Sequence, residues 1–246
     1  MLGLLVIIIV SWVLLYFIEK ENIEALGIIP YGKRIIQFLT GILFITLVIL
    51  LNIYIENIFL KVDWKLQTSI NYKMIFESCL YHFRSALTED LVFRGAILYI
   101  LINRLGAKWA IFISAFFFGV YHVFSYGMTG DSIFPILYVI LVTGFTGYVW
   151  AYSFYKTKSI MLALGFHFGN NLVMTFFYPS QPFGELIFKE LSRVNITSEW
   201  YGLLFFVFKG LFPSIMTLAF VELLSRYDLK IFQIKQSNKT HEKPIK

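Results

Sequence analysis

The chain has 246 residues, of which 58% are hydrophobic and 15% charged, with a formal net charge of +6. A soluble domain is about half apolar and about a quarter charged, so an ordinary globular domain is excluded, and repeated runs near the ~20 apolar residues that cross a bilayer mark a polytopic membrane protein. One helical bundle uses up the length, leaving no second soluble domain, and the single cysteine, Cys79, excludes an intrachain disulfide and a cysteine-based zinc site.

The first run, Leu2 to Ile18, has no basic stretch before it and no small-residue cleavage site, which predicts a retained span rather than a signal peptide. Further spans are predicted near 35–55, 74–103, 110–126, 133–155, 160–178 and 203–224. The fold class is all-α, a transmembrane bundle of about seven spans; six or eight remain compatible, because the third segment is too charged for hydropathy to settle. The connections 59–73 and 183–200 read as amphipathic helices lying on the membrane surface. Trp64, Trp109, Trp150, Tyr152, Trp200 and Tyr201 fall near proposed span ends, where an interfacial aromatic belt belongs. The chain reads as one structural domain in three stretches: 1–72 with the first spans and a connector, 73–178 as a core, and 179–246 with a surface helix, the last span and a basic tail.

Orientation follows from the distribution of Lys and Arg. With the N-terminus outside, the inner segments hold Lys20, Lys33, Arg34, Arg104, Lys108, Lys156 and Lys158, together with six cations of the tail (Arg226, Lys230, Lys235, Lys239, Lys243 and Lys246). The outer segments hold Lys61, Lys65, Lys73, Lys189 and Arg193. The asymmetry predicts N-outside and C-cytoplasmic. A basic tail of this kind fits anionic lipid rather than nucleic acid. The Ile-, Lys-, Asn- and Phe-rich composition is that of an AT-rich bacterial genome, so the expected location is a bacterial cytoplasmic membrane.

The third segment, "KMIFESCLYHFRSALTEDLVFRGAILYILINRL", carries Glu77, Arg84, Glu89, Asp90 and Arg94. An ionisable group at the bilayer centre costs at least ~2.5–3.5 kcal/mol, so these charges must be enclosed by other spans, paired, or turned toward a wet cavity. Asp90 and Arg94 are spaced i, i+4 and meet on one face. Glu89 points about 100° away from Asp90 and is free to face something else. Two other spans each offer one histidine: His122 in "SAFFFGVYHVF", four residues after Phe118, and His167 in "LALGFHFGNNLV", four before Asn171. His82, Glu77 and Arg84 read as structural or interfacial. Small-residue pairs flank the histidines (Ala115 with Gly119, Gly165 with Gly169), and Thr143, Gly147 and Ala151 form a stripe on the intervening span. Such stripes let helices approach closely. An acid, a histidine, and a histidine with an amide would then converge as a base, its partner and oxyanion donors.

"EDLVFRG", "FFFGVYH" and "HFGNN", in that order, resemble the three motifs of the CAAX protease and bacteriocin-processing (CPBP, also ABI) family of intramembrane proteases, over roughly residues 75 to 178. The resemblance puts the catalytic glutamate on Glu89, the second acid on Asp90, the arginine on Arg94, the second motif on Phe118 and His122, and the third on His167 and Asn171. The second acid is Asp here where the family pattern has Glu, and it reaches the arginine with a shorter arm.

The resemblance implies a glutamate mechanism without a metal. Glu89 assisted by His122 activates water, His167 and Asn171 stabilise the oxyanion, and Asp90, Arg94 and Phe118 support them. A zinc-dependent version would use Glu89, His122 and His167 as ligands. Expected partners are the lipid bilayer and a peptide or protein entering the bundle, whether bacteriocin-related or prenylated (CAAX-type). A non-catalytic membrane immunity or scaffold protein is the reading from another class, and a Glu89→Gln variant separates it from a protease.

Overall fold

The computed structural model describes residues 2–227. Lys230, Lys235, Lys239, Lys243 and Lys246, on which the reading of a basic tail rests, lie outside the described residues, as does His241.

The described chain is a helical bundle: α1 (Leu2–Leu14), continued by a π turn (Leu15–Glu19), α2 (Tyr31–Leu60), α3 (Tyr72–Arg94), α4 (Ala96–Leu105), α5 (Ala107–Ser125), α6 (Ile133–Thr157), α7 (Ile160–Phe177) and α8 (Glu199–Arg226). Six of the described helices are long and apolar enough to cross a membrane. Helix α3 has spanning length without the apolar composition, because it carries the charges. The single third span expected over 74–103 is broken at Gly95, whose backbone leaves the helical region (φ −90°, ψ −136°) between α3 and α4. A Cβ at Gly95 would lie 2.1 Å from the Leu91 carbonyl oxygen, so the turn needs a residue without one.

Local signals end and start the other helices. Asn71 accepts the Met74 amide at 3.1 Å to cap α3, and Ser159 accepts the Met161 amide at 3.1 Å to cap α7. Arg34, near the start of α2, is buried and donates to the carbonyls of Thr157 and Lys158 at 3.2 and 3.3 Å. It thereby supplies a cation and donors to the C-terminal end of α6.

Small residues bring the helices together. On α5 the exposed face carries Phe112 and Phe116, while Ala115, Phe118, Gly119 and His122 turn inward. A Cβ at Gly119 would meet the Ile140 carbonyl oxygen at 2.7 Å, which places α5 directly against α6. A Cβ at Gly165 would meet the Phe38 carbonyl oxygen at 2.3 Å, so the glycines of α7 face α2. Gly147, from the stripe on α6, receives the ring of Phe118. The core cluster where these helices meet includes Ile45, Ile49, Ile53, Phe118, Trp150 and Phe166.

The two connections expected as amphipathic surface helices form an antiparallel ribbon instead, β1 (Asp63–Leu66) with β2 (Phe188–Ser192), interrupted by a bulge between Asp63 and Trp64. The reason is a period of two: Val62, Trp64 and Leu66 alternate with Asp63 and Lys65, and Lys61 in the left-handed region (φ 45°) stops α2 before them. Each strand completes its ladder only by meeting the other. Trp64 packs edge-on against Phe177 and Tyr178, anchoring the ribbon over the end of α7.

Candidate active site

The C-terminal half of α3 presents Glu89, Asp90 and Arg94 to α5, α6 and α7. Asp90 and Arg94 are both completely buried (side chains 0% exposed), with Arg94 Nη1 3.1 Å from Asp90 Oδ1. This pair is a close ionic contact without an aligned N–H···O hydrogen bond, since none of the guanidinium nitrogens has a hydrogen-bond partner. The cation is held otherwise as well: its carbon lies 3.8 Å above the Phe118 ring and 5.1 Å from Trp150. A desolvated cation over aromatic faces is stabilised by about 2 kcal/mol. The aromatic residue four before His122 is thus the platform for the arginine.

Asp90 has a second partner. Its Oδ1 is 3.3 Å from His167 Nδ1, so one carboxylate lies between the arginine and an imidazole. His122 is fixed separately, with Nδ1 2.8 Å from the Phe118 carbonyl oxygen. A carbonyl only accepts, so Nδ1 carries the proton and Nε2 of the neutral ring keeps its lone pair. Both Nε2 atoms face Glu89 Oε2, at 4.0 Å for His122 and 3.8 Å for His167. These separations are too long for a direct hydrogen bond and short enough for one water to touch both groups. Glu89 is oriented by Ser85, whose hydroxyl donates to Oε1 at 3.1 Å, while Oε2 is buried with no hydrogen-bond partner.

A cavity of about 350 Å³ opens beside these groups, lined by Phe118, His122, Trp150, His167 and Asn171, among others. Asn171 accepts a hydrogen bond from Asn170 Nδ2 at 3.2 Å through its Oδ1, leaving its own NH₂ for other partners. Among the described residues, no group of three or more His, Cys, Asp and Glu side chains has a geometry that holds a metal ion.

The structure brings Glu89, His122 and His167 into one cluster, sets Asp90, Arg94 and Phe118 beneath it, and puts Asn171 on the adjoining cavity wall. His82 is buried with Nε2 unpaired, and Glu77 forms an exposed pair with Lys73 at 3.8 Å. Two site residues escape a reading of the sequence. Trp150, expected in the interfacial belt, is only 4% exposed and packs on His167 with ring centroids 4.5 Å apart. It lies toward the C-terminal end of a predicted span, but α6 carries that position inward. Asn170 sits beside the motif, where spacing alone does not separate it from Asn171.

The described residues form a polytopic helical bundle in which a buried acid, two imidazoles and an amide gather beside a cavity. The family model described as "Type II CAAX prenyl endopeptidase Rce1-like" matches residues 71–173. This span runs from the cap of α3 through most of α7, contains every candidate site residue named above, and bears out the likeness to the CAAX protease family. That stretch of the chain is Rce1-like, which points to a CAAX-type intramembrane endopeptidase. No curated protein and no solved structure matches the chain.

Proposed function

We propose that the chain hydrolyses a peptide bond within the membrane, with Glu89 as general base. The observation that carries this reading is the placement of Glu89 Oε2, buried and unpaired, 3.8–4.0 Å from the Nε2 atoms of two histidines on separate helices. A water between Glu89 Oε2 and His122 Nε2 donates to both and turns an oxygen lone pair toward the cavity. As it attacks the scissile carbonyl, one proton passes to Glu89, which then delivers it to the leaving amine.

His167 serves the opposite charge. Its Nδ1 lies 3.3 Å from the Asp90 carboxylate, which fixes the ring so that Nε2 is turned toward the developing oxyanion as a donor. The free NH₂ of Asn171 is the second donor. Arg94, wedged between Asp90 and the Phe118 ring, fixes Asp90 and so acts through it. The Rce1-like match makes a prenylated, CAAX-type peptide the favoured substrate, with the lipid bilayer as the route by which it arrives.

The test is hydrolysis of a farnesylated peptide by the purified chain in lipid nanodiscs, followed by mass spectrometry. Glu89→Gln is expected to lower the rate by about 10²–10⁴, and Asn171→Ala by about 10²–10³. Turnover that persists in a strong chelator supports the metal-independent mechanism; loss under chelation and recovery with added zinc would refute it. Full activity in Glu89→Gln would end the proposal.

A further inference from the structure

The cavity has a second polar end. Beyond Asn171 its lining continues along α7 to Met174 and Tyr178, and across to Asn52 on α2 and Lys209 on α8. Behind Lys209 lies Glu56, whose side chain is 0% exposed. A buried carboxylate is tolerable only when paired and hydrogen-bonded, and this one is saturated. Its Oε2 accepts from the Tyr178 hydroxyl, while Oε1 accepts from Lys209 Nζ and stands 3.5 Å from Arg193 Nη1. Arg193 is shared with Glu190 at the end of the ribbon.

Lys209 is not saturated. An ammonium group has three donors, and among the described residues Glu56 is the one acceptor hydrogen-bonded to Nζ. Tyr178 offers it only a ring face, at 4.7 Å. Asn52, 8% exposed, donates through Nδ2 to the Lys209 carbonyl oxygen at 3.1 Å, while its Oδ1 is buried with no partner. The same end of the cavity therefore offers spare cationic donors and, beside them, an orphan acceptor. None of the three motifs contains these residues, and Glu56, Lys209 and Asn52 lie outside the Rce1-like stretch 71–173.

The geometry points to a subsite for the free C-terminal carboxylate of the substrate peptide, with Lys209 binding the carboxylate and Asn52 Oδ1 accepting the N–H of the last residue. Glu56, held by Tyr178 and Arg193, aims Lys209 and is a positioning residue. The inference rests on the peptidase reading above.

The experiment compares two forms of one probe, a farnesylated synthetic peptide ending in valine, isoleucine and alanine, with either a free carboxylate or a carboxamide at its end. The full chain in nanodiscs is assayed for hydrolysis, and a Glu89→Gln trap for binding by fluorescence anisotropy. A charge-assisted hydrogen bond predicts about a ten- to hundredfold preference for the acid in kcat/KM and in affinity. Lys209→Met should bring the acid-to-amide ratio to about one, and Lys209→Arg should keep most of it, as a charged contact requires. If Lys209→Met fails to fold because Glu56 loses a cation, Lys209→Met with Glu56→Gln removes both charges and answers the same question. Equal treatment of acid and amide by the parent chain, or an equal loss for both in Lys209→Met, overturns the subsite while leaving the peptidase intact. Preference for the acid by the trap without any turnover sinks the peptidase reading and keeps the subsite. Failure to bind either form overturns both.

Discussion

Arg94→Met is the most informative perturbation of the supporting structure. Arg94 and Asp90 are both wholly enclosed, with Nη1 3.1 Å from Oδ1. Methionine fills the volume between Phe118 and Trp150 but leaves the Asp90 carboxylate facing only His167. Losing one member of a buried pair costs about 3–5 kcal/mol. The lost cation–aromatic contact adds about 2 kcal/mol, of which a sulfur–aromatic contact returns about 1 kcal/mol. The net expectation is a loss of about 4–6 kcal/mol, read by equilibrium SDS titration in mixed micelles. Arg94→Met with Asp90→Asn removes the orphaned charge and should recover stability to within about 2 kcal/mol of the parent. It should not recover hydrolysis, because the amide that replaces the carboxylate holds His167 by a neutral hydrogen bond roughly half as strong, at a cost of about tenfold in rate. A single variant within about 1 kcal/mol of the parent, or a double variant no more stable than the single, would refute the account of the pair.

Two further predictions concern the frame. Gly119→Leu puts side-chain atoms where even a Cβ meets the Ile140 carbonyl oxygen at 2.7 Å, so α5 and α6 must separate; a loss above about 2 kcal/mol in the same titration is expected, with hydrolysis falling because His122 rides on α5. In the ribbon, hydrogen bonding to Arg193 holds the Glu190 carboxyl below its ordinary value of 4.5. A depressed folded-state value means stabilisation present above the unfolded value and lost as pH falls through the folded one. Trp64 fluorescence, isolated by difference from Trp64→Phe, should therefore shift between about pH 4.5 and lower, and Arg193→Ala should move that transition upward toward the ordinary carboxyl range.

Much of the site was legible because membrane chemistry makes polar residues conspicuous. Glu89, His122 and His167 stand out against apolar spans, and helical spacing pairs Asp90 with Arg94 and His167 with Asn171. The partner of Asp90 was not legible. Spacing within α3 reveals Arg94, but the His167 contact depends on how α7 rotates against α3. Trp150 shows the same limit: an aromatic near a span end reads as an interfacial anchor until the helix against which it lies is known. The helix spans were close to correct, since length and hydropathy fix them. The break at Gly95 was not, because a lone glycine inside a helical pattern carries no mark of whether the chain turns there. The ribbon was missed for a different reason. Its strands are short, amphipathic on either period, and more than a hundred residues apart, so only their encounter decides which period applies.

The cavity walls come from two sources. The proposed reacting groups sit on α3, α5 and α7 inside the Rce1-like stretch, whereas Ile45, Ile49, Asn52 and Ile53 of α2 and Phe206, Lys209, Gly210 and Pro213 of α8 lie outside it. In the proposed reading, chemistry and taste are thus housed on separate pieces of chain. Grafting foreign flanking helices onto this centre should alter which peptides are chosen without rebuilding the machinery that cuts them.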